Sequence, residues 1–118
     1  MTEGISALQA RLSDFSKDRD WGQFHTPKNL AMALAVEVGE LLELFQWATP
    51  GESAAIMDDP TSAARVREEL ADVFGYVLRL ADVLGVALDE ALIDKIRVNG
   101  QKYPVDRSRG TSRKYTNL

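Results

Sequence analysis

Between residues 30 and 44 the apolar side chains recur at helical spacing. At ~100° per residue, Leu30, Leu34, Leu41 and Leu44 line up as one stripe. The same period returns further on, through Val66, Leu70, Val73, Val77, Leu80 and Leu84. Two long segments with one apolar face each must bury those faces, and the economical solution is to pack them as a central pair. No segment alternates over enough length for a strand, and the β-branched residues are not clustered. The fold class is therefore all-α, and we read four helices and a tail, a four-helix bundle-like protomer.

Local signals place the boundaries. A first helix covers roughly residues 3 to 17, with Ile5, Leu8, Leu12 and Phe15 on one side. The aromatic stretch RDWGQFHTP interrupts the pattern. Thr26 can cap the second helix and Pro27 suits its first turn. We expect this helix to run to about Trp47, with TPG at 49 to 51 stopping it, and a loop or short turn over 52 to 60. Thr61 or Ser62 is the expected cap of the third helix, and Gly85 its end. A fourth helix spans roughly residues 88 to 99, carrying Leu88, Leu92 and Ile96, where Gly100 weakens it and Pro104 closes the region. Residues 1–106 then form one all-α domain and residues 107–118 a basic tail.

The acids depart from amphipathic design. Glu37 falls in the centre of the apolar stripe of the second helix. Glu40, three residues on, lies ~60° off it, and Glu43 lies ~120° away towards solvent. The third helix repeats the device, with Glu69 at the edge of its apolar face and Asp72 beyond. The 28 residues between Glu40 and Glu69 suffice for a turn and an antiparallel return, so the four acids can meet across the pair. Two unit charges 4 Å apart repel by about 4 kcal/mol at an effective dielectric near 20. Such a cluster must protonate or hold a cation, and oxygen-only ligands suit Mg²⁺ or Mn²⁺. Mg²⁺ sites commonly leave positions for water and substrate phosphates. A di-iron centre needs Glu-x-x-His motifs on two helices, and the single histidine, His25, lies outside any such spacing. No nucleophile elbow is present for Ser-His-Asp chemistry.

Bulk properties exclude other classes. A formal charge of -4 and a pI near 4.9 argue against a nucleic-acid binder that relies on a general basic field. The absence of cysteine removes disulfides, thiol nucleophiles and zinc–thiolate sites. No apolar run approaches the ~18 residues of a membrane helix, and the N-terminus does not read as a signal peptide. The expectation is a soluble cytoplasmic protein that binds neither nucleic acid nor membrane.

The segments EVGELLELFQW, EELADVFGYVLRLAD and DKIRVNGQKYP, joined to RDWGQFHTPKNL and the ending SRKYTNL, resemble the all-α nucleoside triphosphate pyrophosphohydrolases of the MazG type, and the dCTP pyrophosphatase branch in particular. The resemblance covers about residues 12 to 118. It implies Mg²⁺-dependent hydrolysis of a (deoxy)nucleoside triphosphate to the monophosphate and pyrophosphate. Residue by residue, Glu37, Glu40, Glu69 and Asp72 match the metal-binding acids. Trp21, Trp47 and Tyr76 match aromatic positions of the nucleotide pocket, Lys95 and Asn99 polar positions of the last helix, and Arg113 and Lys114 a basic tail element. The chain departs at Leu12, where animal members carry a histidine that helps hold the base, and at Ala87, where a helix-capping Asp is frequent. The base preferred is thereby left open between dCTP and a broader dNTP or dUTP range. Relatives form dimers or dimers of dimers, which implies a homodimer or homotetramer.

On this reading Glu40, on the shoulder of the stripe, is the first candidate to orient or deprotonate the attacking water. Lys95, Lys102, Arg109, Arg113 and Lys114 are positioned in sequence to meet a triphosphate. Residues 106–118 hold three arginines and one lysine against a single Asp, and we expect the tail to fold over the site. Trp21, Phe24, Trp47 and Tyr76 offer stacking surfaces, and His25 is a structural or pocket-rim residue. The competing reading is a helical interaction module whose acids are solvated charges or a non-catalytic metal site.

Overall fold

A computed structural model describes residues 3–118, and among them there is no strand. The chain separates into two compact units, one ending at Gly85 and the other Val86–Leu118. The division falls at the end of the long third helix predicted from sequence.

In the first unit, α1 covers Ile5–Asp18, α2 Pro27–Glu43, α3 Pro50–Ala54 and α4 Pro60–Leu84. α4 packs against both α2 and α1. The core consists of Leu30, 1% exposed, with Val66, Leu78 and Ala81 from α4. The Gln9 side-chain amide of α1 donates to the Leu78 carbonyl of α4 at 2.9 Å, which fixes the two helices in register.

The caps follow local chemistry. Thr26 accepts from the Asn29 amide at 3.2 Å and Pro27 opens α2, as the sequence predicts. The far end differs. α2 stops at Glu43 rather than near Trp47, because Leu44 and Phe45 turn inward to i−3 carbonyls, Leu41 and Leu42, at 3.2 and 2.9 Å. Thr49 and Glu52 then form a reciprocal capping box, both bonds 3.1 Å, so TPG starts a new short helix as well as ending the previous one. α4 is capped by Asp59, which accepts from the Ser62 amide at 2.9 Å, and not by Thr61 or Ser62. Pro60 fits the first helical position, and this moves the cap one residue before it. Gly85 ends α4 in the left-handed conformation at φ 70°.

In the second unit, α5 covers Leu88–Lys102 and α6 Val105–Ser108, followed by a 3₁₀ turn at Tyr115–Asn117. α5 runs through Gly100, beyond the expected end near residue 99. Ala87 makes no side-chain cap, and Asp89 and Glu90 in the first turn complement the helix dipole instead. The tail is tied to the end of α5: Lys102 Nζ lies 4.9 Å from the Tyr115 ring centroid, and the Tyr103 and Tyr115 rings meet edge to face at 5.9 Å. Among the described residues no helix is long and apolar enough to cross a membrane.

Candidate active site

Carboxylate oxygens of Glu37, Glu40 and Glu69 lie within 4.8 Å of one another, brought together by α2 and α4. Glu40 is exposed, whereas Glu37 and Glu69 are partly buried. Glu37 Oε2 and Glu69 Oε2 are both shielded from solvent and have no hydrogen-bond partner. Two oxygens in this condition are costly unless a proton shared with a neighbouring carboxyl or a bound cation satisfies them.

The electrostatics agree with the geometry. Burial raises the Glu37 pKa to about 7, and Glu40, Asp72 and Glu69 push it the same way. Glu69 is also raised, first by burial and then by Glu40 and Asp72. Asp72 stands outside the tight trio, near enough for its charge to be felt by both.

Beside these acids α1, the loop after it and α4 enclose a cavity of about 250 Å³, and Asp72 is part of its wall. The loop that builds it turns at Asp20, which adopts a left-handed φ of 53° and lets the Trp21 amide return to the Ser16 carbonyl at 2.9 Å. Trp21 meets Phe15 edge to face at 5.7 Å and His25 at 6.4 Å. His25 Nδ1 accepts from Arg79 Nε at 3.1 Å, and the buried Ser16 Oγ lies 3.4 Å from the same nitrogen. Burial, then the Arg79 charge, lowers the His25 pKa.

Of the residues singled out from sequence, Trp21, His25, Asp72 and Tyr76 therefore share one cavity. Leu12 also lines it. Trp47 does not: it is 89% exposed and lies past the end of α2, which the sequence pattern predicts to run to about this residue. Phe24 is exposed and outside the lining as well. Lys95, Asn99, Arg113 and Lys114 are exposed in the second unit, where the Arg113 amide donates to Thr111 Oγ1 at 3.3 Å. Arg79 and Ser16 escaped the sequence reading. The available signal for Arg79 was its spacing, three residues after Tyr76 and seven after Asp72, on the acid-bearing side of one helix.

The chain is similar to known proteins. The chain is 47% identical to dCTP pyrophosphatase 1 of Rattus norvegicus and 46% identical to that of Homo sapiens, in each case over 98% of this chain and 66% of the relative. The chain thus spans just under two thirds of the length of these curated relatives. A crystal structure of a pyrophosphatase from Archaeoglobus fulgidus superposes with a TM-score of 0.80 at 38% identity, covering 88% of this chain and 95% of that one. The MazG-like family model matches residues 32–118, a span that starts within α2 and takes in all four acids, and by this match the chain belongs to the MazG-like family.

Proposed function

We propose that this chain hydrolyses a (deoxy)nucleoside triphosphate, dCTP or a modified dCTP, to the monophosphate and pyrophosphate, and so clears an excess or non-standard nucleotide. The observation that carries this reading is the carboxylate trio within 4.8 Å, with two shielded and unsatisfied oxygens, beside an aromatic cavity that shares Asp72. An all-oxygen donor set of this kind fits a hard divalent cation, Mg²⁺ or Mn²⁺, with Glu37, Glu40, Glu69 and Asp72 as the residues to hold it. When bound, such an ion neutralises triphosphate charge and lowers the pKa of a coordinated water.

The chain's own residues supply the rest. Trp21 and Tyr76 flank the base, where stacking contributes ~1–3 kcal/mol. His25 shapes the rim through its contacts with Trp21 and Arg79. Glu40, the exposed member of the trio, orients or deprotonates the water that attacks between the α- and β-phosphates. Lys95, Asn99, Lys102, Arg113 and Lys114 are the cationic and polar side chains that we assign to the triphosphate. Trp47 takes part in substrate binding within a homodimer or homotetramer, where a second copy covers its exposed ring. The protein works in the cytoplasm.

The test is pyrophosphate release from each dNTP and from modified dCTPs, with and without Mg²⁺, for the wild type and Glu40→Gln. The expected result is Mg²⁺-dependent release, fastest on a cytosine nucleotide, and loss of turnover in Glu40→Gln with nucleotide binding retained. Absence of release from every triphosphate would overturn the reading in favour of a non-catalytic helical module, and full activity of Glu40→Gln would remove that residue from the mechanism.

A further inference from the structure

The cavity wall contains one cationic side chain, Arg79, and the reading above gives it no part in the chemistry. Its side chain is only 14% exposed, which is unusual for an arginine. It is held at two points. Nε donates to His25 Nδ1 at 3.1 Å, and Nη1 reaches Asp82 Oδ2 at 3.5 Å. A guanidinium carries five N–H donors in a rigid planar fork and no acceptor, so this anchoring leaves donors over. Leu12 and Phe15, which also line the cavity, offer a base edge no polar atom from their side chains.

We infer that Arg79 determines base specificity, presenting its remaining N–H donors to a base edge that carries two neighbouring acceptors, N3 and O2 of cytosine, and opposing thymine and uracil, whose N3–H is itself a donor. Guanine offers the same acceptor pair at O6 and N7, so the class selected is defined by the edge and not by ring size. The assignment rests on the proposed nucleotide site. His25 is the positioning residue. Its lowered pKa keeps the imidazole neutral, so Nδ1 remains an acceptor for Arg79 and the fork stays in place.

The experiment compares wild type, Arg79→Met and Arg79→Lys in two assays. The first measures kcat/KM for dCTP and dGTP against dTTP and dUTP. Arg79→Met keeps an unbranched stem of similar bulk and removes every donor. Its kcat/KM should fall about 10- to 100-fold on acceptor-pair substrates and less than about threefold on dTTP and dUTP, as expected for loss of charged hydrogen bonds from one class only. Arg79→Lys keeps the charge without the fork, and its selectivity should lie between the two. An equal loss on all four substrates would mean a merely structural role, and unchanged selectivity would remove Arg79 from base reading; either result overturns the inference. The second assay measures dCMP and dTMP affinity by calorimetry in the same proteins without metal. If no triphosphate is cleaved by the wild type, the hydrolase reading falls and this assay alone decides: collapse of the dCMP-to-dTMP preference supports Arg79, and an unchanged or absent preference overturns it. Thermal unfolding by circular dichroism identifies a variant that does not fold, and if Arg79→Met is one, Arg79→Lys carries both assays.

Discussion

Glu37 occupies a position where the pattern of α2 calls for an apolar side chain, and its carboxyl responds by binding a proton more tightly, with a pKa raised from 4.5 to about 7. The sign of the effect on stability follows from linkage. The folded protein holds this proton over a range in which the unfolded chain has already lost it, so the contribution is complete below about pH 4.5 and is lost as pH rises through about 7. Glu69 is shifted in the same direction. In EDTA the Tm should therefore fall between about pH 4.5 and about pH 7 and level off above, and Glu37→Gln, which cannot ionise, should flatten that fall. Millimolar Mg²⁺ should raise the Tm most at the upper end, where the acids are charged and repel. Calorimetric titration with Mg²⁺ near pH 6.5 in buffers of different ionisation enthalpy should detect proton release. A wild-type pH profile that matches Glu37→Gln would show that the Glu37 proton has no thermodynamic weight.

At the scale of elements, the same substitution should have opposite signs at two glycines. Gly85 ends α4 at φ 70°, and an added Cβ would meet nothing within 4 Å, so the cost of Gly85→Ala is purely conformational, about 1 kcal/mol. Gly100 lies inside α5, also with open space around it, and Gly100→Ala should stabilise by about 1 kcal/mol through helix propensity. Urea unfolding of both variants measures the two changes, and a common sign would refute the conformational account. Gly85, Thr26 and Pro27 were legible in the sequence because each acts within a few residues. The end of α2 was not, since the helix-forming pattern continues through LLELFQW and the stop depends on how the chain prepares for the Thr49–Glu52 box. Asp59 was missed because Pro60 decides which neighbour is the cap. Among site residues, Glu37 and Glu69 stood out by being acids on apolar faces. Arg79 did not, because a single arginine on an amphipathic helix has the pattern of a solvated charge, and only the packing of α1 and its following loop on α4 encloses it.

The molecule as a whole carries more apolar surface than its first unit covers. On α4, Leu70 and Phe74 are 52% and 48% exposed, although they lie on the same flank as the buried Val66 and Leu78. On α2, Met32 and Val36 are each 61% exposed, one turn apart and on the face opposite Leu30. Apolar side chains grouped in this way on a long helix pair are a common mark of an interface, and a stable one removes about 800 Å² per partner from solvent. Trp47, at 89% exposure, would gain the most from being covered. Sedimentation of the wild type at micromolar concentration should accordingly show a dimer or a tetramer. Met32→Glu combined with Val36→Glu puts two charges on a face that makes little contact with its own core, so the fold should survive while the assembly dissociates. Far-UV circular dichroism reports the first and sedimentation the second. A wild-type monomer at every concentration would refute the assembly outright. An unchanged oligomer in the double variant would move the interface away from this face of α2 and onto the Leu70–Phe74 strip of α4, where Leu70→Glu is the substitution that then has to dissociate it.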